Sequence, residues 1–328
     1  MKTVRALIAG IALAQCAAWL PVHGVEPAWK PQKNVELVVG AQAAGANDRM
    51  ARVLQKVLTE SAAVPQSITV VNKPGQGQTV AAAYVSSRPG DPHCLFLVGS
   101  SWVTTSIATR ATTTHRDFTP ITKLIDGDLV MSVLADSPIR SVKDLVEGLR
   151  KDVAAYSFGF STSAGNSSHI ALAELARHAG ADPRKLRVVV NASGSITATQ
   201  VAGGHVNVGV SSSGSVQAMV SLGKVRMIGT ISSQRLPQLP ALPTLREQGY
   251  DVVASTWFAV FGPKGLSPAQ TAYWEDALGR AMRHPETKQF VEANNWTMEL
   301  VGSRQLPVEL DKEYERLRTL LGELGMVK

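Results

Sequence analysis

Short apolar, β-branched runs alternate along this chain with longer stretches whose apolar residues recur every three or four positions. That alternation constrains the fold more than any other feature, because a strand period and a helix period cannot be exchanged. Runs at 35–39, 68–71, 94–98, 156–160, 186–190, 206–210 and 225–230 read as strands. Between them, 49–58 places Met50, Val53, Leu54, Val57 and Leu58 on one face, and 79–86, 168–179, 196–202 and 215–222 are also helical. The pattern predicts an α/β chain with mostly parallel sheets flanked by helices. A helix over 141–149 opens on Ser141 with Asp144 in its first turn. Ser267-Pro268-Ala269-Gln270 is a capping box with proline at the first helical position, opening a helix to about 283. Two more helices follow, the last with Leu310, Tyr314, Leu317, Leu321 and Leu324 on one side.

Two longer apolar runs, 129–134 and 252–261, bracket a self-contained α/β stretch. If both are crossings, the first lobe is discontinuous, 33–130 plus 258–328, and the second is 131–257. Two lobes joined in this way leave a cleft between them, a common place for a ligand. A single continuous sheet is the alternative.

The N-terminus reads as an address. Lys2 and Arg5 precede an apolar run over 6–20, Pro21 ends it, and Val22-His23-Gly24 offers a cleavage site, so 1–24 reads as a secretory signal peptide and the mature chain is expected to be exported. The run is short for a membrane span. Lipidation at Cys16 competes, but Gln15 is a poor residue before a lipid-accepting cysteine.

With 45% apolar and 18% charged residues, the 328-residue chain can bury a core and is not a disordered tail. The formal net charge of +7 is scattered, without a basic run interleaved with aromatics, which argues against nucleic acid. Two cysteines make neither a disulfide framework nor a cysteine zinc site. Cys94, the one beyond the signal, is expected to lie buried in strand 94–98.

Small, uncharged, hydrogen-bonding residues fill the strand-to-helix junctions: Ala43-Ala44-Gly45-Ala46-Asn47, Pro74 to Thr79, Ser161 to Ser168, Asn191 to Ser195 and Ser211 to Ser215. A helix's first turn leaves N–H groups unpaired at the positive end of the macrodipole. Several such ends facing one cleft would hold a carboxylate or phosphate without lysine or arginine. Taken singly, each loop is also an ordinary cap or turn.

Catalytic patterns are incomplete. Gly159-Phe160-Ser161-Thr162-Ser163 lacks the last glycine of a nucleophile elbow, leaving a secreted hydrolase through Ser161 or Ser163 as a weaker reading. Gly75-Gln76-Gly77-Gln78-Thr79-Val80 lacks the third glycine of a dinucleotide fingerprint, and the histidines show no His-Glu-x-x-His spacing. Asp126-Gly127-Asp128 is a turn without the other ligands of a calcium loop. No cofactor, metal or catalytic residue is expected. His169, beside the serine-rich loop, is a pocket-edge candidate. Asp48 either caps the first helix or contacts ligand.

An ordered series of motifs resembles a known family. Val35 to Val39 leads into a small-residue loop and Asp48. Asn72-Lys73-Pro74-Gly75-Gln76-Gly77 follows, then Arg88-Pro89-Gly90-Asp91, and Ala135-Asp136-Ser137-Pro138 with Ser141-Val142-Lys143-Asp144-Leu145. Arg235-Leu236-Pro237, Leu242-Pro243-Thr244, Glu247-Gln248-Gly249-Tyr250 and Phe261-Gly262-Pro263-Lys264-Gly265 complete it. From about residue 34 to the C-terminus the chain resembles the periplasmic substrate-binding proteins of tripartite tricarboxylate transporters, the Bug family. The resemblance implies a two-lobed, non-enzymatic solute-binding protein, monomeric, that closes on a small organic carboxylate and delivers it to large and small membrane subunits. It implies a carboxylate held by backbone amides and ordered water. The implied contacts are Ala43, Gly45, Ala46 and Asn47 in the first loop, and Gly75, Gly77, Gln78 and Thr79 in the second. Ser163, Gly165, Asn166, Ser193, Gly194 and Ser211 would come from the second lobe. Two departures bear on the ligand. Ala44 replaces a glycine and so loses easy access to positive φ. Ser211 stands where many relatives have an aspartate, which disfavours a ligand amine. Presentation of the closed form to a receptor kinase is an alternative role, and a carboxylate clamp by Arg49 or Arg88 an alternative chemistry.

Overall fold

The computed structural model describes residues 29–61, 63–161 and 164–327. The signal segment, Cys16 and Ser163 lie outside them. In chain order the elements are β1 (Val35–Val39), α1 (Ala46–Glu60), β2 (Ile68–Asn72), α2 (Thr79–Ser86), β3 (Cys94–Gly99), α3 (Ser101–Ala108), β4 (Phe118–Gly127), β5 (Val130–Leu134), α4 (Val142–Lys151), β6 (Ser157–Ser161), α5 (Ser167–His178), β7 (Arg187–Asn191), α6 (Gly194–Ala202), β8 (Val208–Ser211), α7 (Ser213–Ser221), β9 (Val225–Thr230), β10 (Thr256–Pro263), α8 (Pro268–Arg283), α9 (Pro285–Ala293), β11 (Trp296–Gly302) and α10 (Leu306–Glu323).

They build two sheets, a six-stranded one ordered β11-β4-β10-β3-β1-β2 and a five-stranded one ordered β7-β6-β8-β5-β9. Both are mixed rather than mostly parallel. β1, β2 and β3 run parallel, as do β6, β7 and β8. β10 runs against β3 and β4, and β5 against β8 and β9. The reason is topological. β5 and β10 are the strands by which the chain re-enters a sheet after crossing from the other. A crossing arrives at the edge where the parallel strands end, so the strand it feeds must run away from that edge. The register shows this directly: Val130, the start of β5, pairs with Ser211, the end of β8, and Phe258 near the start of β10 pairs with Gly99, the end of β3.

β4 and β11 are strands that the sequence pattern does not announce. Pro120 and Lys123 interrupt the apolar run of β4, and sheet pairing on both sides overrides that weak local signal. Conversely, the apolar run at 252–261 becomes a strand only from Thr256.

The second sheet packs around Phe158, Phe160, Leu145 and Leu172. The first has apolar layers on both faces, one with Met50, Leu54 and Trp274, the other with Phe96, Trp102 and Phe261. α10 covers the latter, and Ile170 of α5 joins that layer. Arg316 of α10 donates to Glu174 of α5 at 2.8 Å. Cys94 is buried in β3 as expected, and burial pushes its thiol up.

Candidate ligand-binding cleft

A cleft of about 530 Å³ lies between the edges where the parallel strands of both sheets end. The first-turn residues of α1 (Ala46, Asn47), α3 (Ser101), α5 (Ser167, Ser168), α6 (Gly194, Ser195) and α7 (Gly214, Ser215) all line it. Each helix follows a parallel strand, so βα geometry brings the N-termini to the edge where the strands of its own sheet end, and the two crossings set those edges face to face. Phe258 and Trp296, 5.1 Å apart edge to face, form an aromatic wall.

The α1 turn is held from behind. Ala44 adopts φ 63°, so this loop takes the left-handed turn without glycine, at a cost of about 1 kcal/mol. Asp48, buried at 1% exposure, stabilises it: Oδ2 accepts from the Ala44 N–H at 2.8 Å and from Arg52 at 2.9 Å, while Oδ1 accepts from Asn72 at 2.9 Å. Burial pulls this carboxyl up, but Arg52, Asn72 and the Ala44 amide together hold it below the usual range. Asp48 is thus a clip between α1 and β2.

The second loop stands one layer back. Gly75, Gln76, Gly77 and Gln78 have φ of 137°, 43°, 58° and 77°, and a Cβ on Gly77 would collide with Thr105. Gln78 turns inward: Oε1 accepts from Asn47 at 3.2 Å and from the Gly99 N–H at 3.0 Å, and Nε2 donates to the Gly99 carbonyl at 3.1 Å and to Ser101 Oγ at 2.8 Å. It couples two of the turns that face the cleft.

In the second lobe Asn166 caps α5 by accepting from the His169 N–H at 3.0 Å, and Ser193 caps α6 by accepting from the Ile196 N–H at 3.3 Å. His169 Nδ1 accepts from the Gly165 N–H at 3.0 Å and its ring stacks on Phe160, so burial pushes it down and keeps it neutral. Gly165 backs onto Leu321 and Met326.

Of the residues singled out from the sequence, Ala46, Asn47, Asn166, Gly194 and Ser211 line the cleft. Ala43, Gly45, Asp48, Gly75, Gly77, Gln78, Thr79, Gly165, His169 and Ser193 are not among its lining residues, and Ser163 lies outside the described ones. Gly99, Ser100 and Ser101 line it unanticipated, although they carry the same signature of small residues after an apolar strand. Thr256, Phe258, Asn294 and Trp296 arrive from distant sequence and had no local signal. The expectation of a cleft without cationic side chains needs correction: Arg49 lines it and donates to Asn294 Oδ1 at 3.3 Å. Arg88 is not in the cleft; it pairs with Glu36 and lies over the Tyr84 ring. Ser161 lines the cleft, but no histidine does among the described residues.

The sequence pattern of the tripartite tricarboxylate transporter family receptor, TctC, matches residues 50–326. The chain belongs to this family. A Pseudomonas protein (strain P51) from the tcbD-tcbE intergenic region is 28% identical over 288 residues, 86% of this chain and 83% of that protein. The structure of a TctC solute-binding protein from Polaromonas superposes with a TM-score of 0.80 at 23% identity, covering 90% of this chain and 99% of that one. Two Rhodopseudomonas palustris structures share the fold at 20% identity. One holds adipate (TM-score 0.72, covering 90% of this chain and 98% of that one) and MatC holds malate (TM-score 0.67, covering 91% and 100%). TctC receptors are solute-binding proteins of transport systems, and no described helix here is long and apolar enough to cross a membrane.

In this TctC receptor the two chain crossings meet beside an ionic cluster. Lys123 of β4 bridges Asp126 at 2.8 Å and Glu299 of β11 at 2.7 Å, and Ser255, just before β10, donates to Asp126 at 3.2 Å. Burial and the hydrogen bond shared with Glu299 outweigh Lys123 and push the Asp126 carboxyl up to about 7, whereas Glu299 is held below its usual range. Between about pH 4 and 7 the folded chain therefore keeps a proton on Asp126 that the unfolded chain has lost. Asp126 makes stability fall as pH rises through that window. Asp126→Asn, which mimics the protonated form, should flatten the decline in melting temperature between pH 5 and 8. An unchanged slope would show that the cluster does not hold this proton.

Proposed function

We propose that this receptor captures a small organic carboxylate in the periplasm for a tripartite tricarboxylate transporter, by closure of two lobes over the cleft. The observation that carries the reading is the convergence of the first turns of α1, α3, α5 and α6 on one gap, with Arg49 beside them. N-terminal amides and one guanidinium supply the positive potential that a carboxylate needs. The adipate and malate complexes of the two Rhodopseudomonas palustris proteins that share the fold support the ligand class. The lobes proposed are 33–130 plus 258–328 and 131–257, closing about crossings near 128–130 and 254–256. Ligand shifts the population toward the closed form because both lobes contact it only there. The receptor acts as an exported monomer without cofactor or catalysis, and passes its ligand to the large and small membrane subunits.

The test is thermal unfolding of the mature protein against a panel of di-, tri- and aromatic carboxylic acids. At a hundredfold excess over Kd a true ligand should stabilise it by about 2.7 kcal/mol. The ligand should be recovered chemically unchanged. Failure of every acid to raise the melting temperature would overturn the reading.

A further inference from the structure

Among the described residues the cleft lining carries one cation, Arg49, and one acid, Asp128. They belong to different parts of the cleft. Arg49 sits in the first turn of α1, whereas Asp128 lies in the crossing between β4 and β5 and reaches α7, where its Oδ2 accepts from the Ser213 N–H at 2.7 Å. That bond neutralises the start of α7, one of the helix ends that would otherwise receive an anion. A ligand carboxylate at α7 would meet a carboxylate.

Asp128 is also incompletely satisfied. It is 3% exposed, burial pushes its carboxyl up against the Ser213 hydroxyl and amide that favour its charged form, and its Oδ1 has no hydrogen-bond partner. Ser211, 4% exposed and also lining the cleft, has an unpartnered Oγ. The two lie in adjoining backbone, since Val130 pairs with Ser211 across β5 and β8. A buried carboxylate oxygen without a donor is costly, and a group that supplies both donors and positive charge removes the cost. An alkylammonium has three N–H donors and a full charge; a hydroxyl has one donor and no charge.

Resting on the reading of the cleft as a carboxylate site, we propose that Asp128 is a specificity residue that makes this receptor select a carboxylate bearing a protonated nitrogen, with the anionic end on the Arg49 and α1 side and the ammonium against Asp128 and Ser211.

The experiment uses the mature chain and calorimetric titration with matched probes: aspartate and glutamate against succinate and glutarate, and 6-aminohexanoate against adipate. At least one amine-bearing acid should bind about a hundredfold more tightly than its nitrogen-free counterpart. Asp128→Asn should weaken that ligand about a hundredfold and tighten the counterpart by removing repulsion. Acetylation of the ligand nitrogen, tested on the unaltered protein, should cost a comparable factor and needs no variant to fold. Nitrogen-free acids binding as well as or better than their amine-bearing partners would overturn the role of Asp128 and leave the carboxylate reading standing. Binding by none of the probes, alongside a negative acid panel, would remove both.

Discussion

Trp102→Ala should destabilise the receptor by about 4 kcal/mol, measured by urea denaturation followed through the far-ultraviolet circular dichroism. Trp102 lies in the first turn of α3, directly after the cleft residues Ser100 and Ser101, and is fully buried. Its ring meets Phe96, Phe118 and Phe261 edge-on or nearly so at 5.4, 5.2 and 5.6 Å. Truncation removes the apolar area and leaves a cavity that rigid strands β3, β4 and β10 cannot collapse into. The indole N–H has no hydrogen-bond partner, so Trp102→Phe should cost less than half as much. A loss below about 1 kcal/mol for the alanine variant would mean that this aromatic layer does not anchor the first sheet.

Gln78→Leu should cost about 2–3 kcal/mol, because it keeps the volume but strips the Gly99 N–H of its buried acceptor. The same change frees Asn47 and Ser101 from their common partner. Gln78 is not a lining residue, so it acts by positioning the two turns that are. Affinity for whichever acid the panel identifies should fall about tenfold, since sub-ångström displacement of preorganised donors already costs this much. A variant that loses stability but binds that acid with wild-type affinity would show that the turns hold their places without it.

The contrast between Asn47 and Gln78 shows what local reading can reach. Both belong to small-residue loops after apolar strands, and nothing in their neighbourhoods ranks one above the other. In the folded chain Asn47 faces the cleft, whereas the run of positive φ at 75–78 turns Gln78 behind it. Gly99 to Ser101 has the same signature but only tertiary packing reveals that it reaches the gap. Asp128 looked like one end of an Asp-Gly-Asp turn. Its partner, the Ser213 amide, is 85 positions away.

Strand and helix periods are written in neighbouring residues, so the α/β class, the serine cap at Ser141 and the capping box at Ser267 are legible from the chain alone. Family membership was legible for a similar reason, because turn motifs in fixed order are a linear property. Which N-termini share a cleft, the insertion of β10 between β3 and β4, and the meeting of Arg49 and Asp128 in one lining depend on two crossings whose contacts span over a hundred residues. Such pairings are decided by packing and long-range hydrogen bonding, for which local residue pattern carries no energy term.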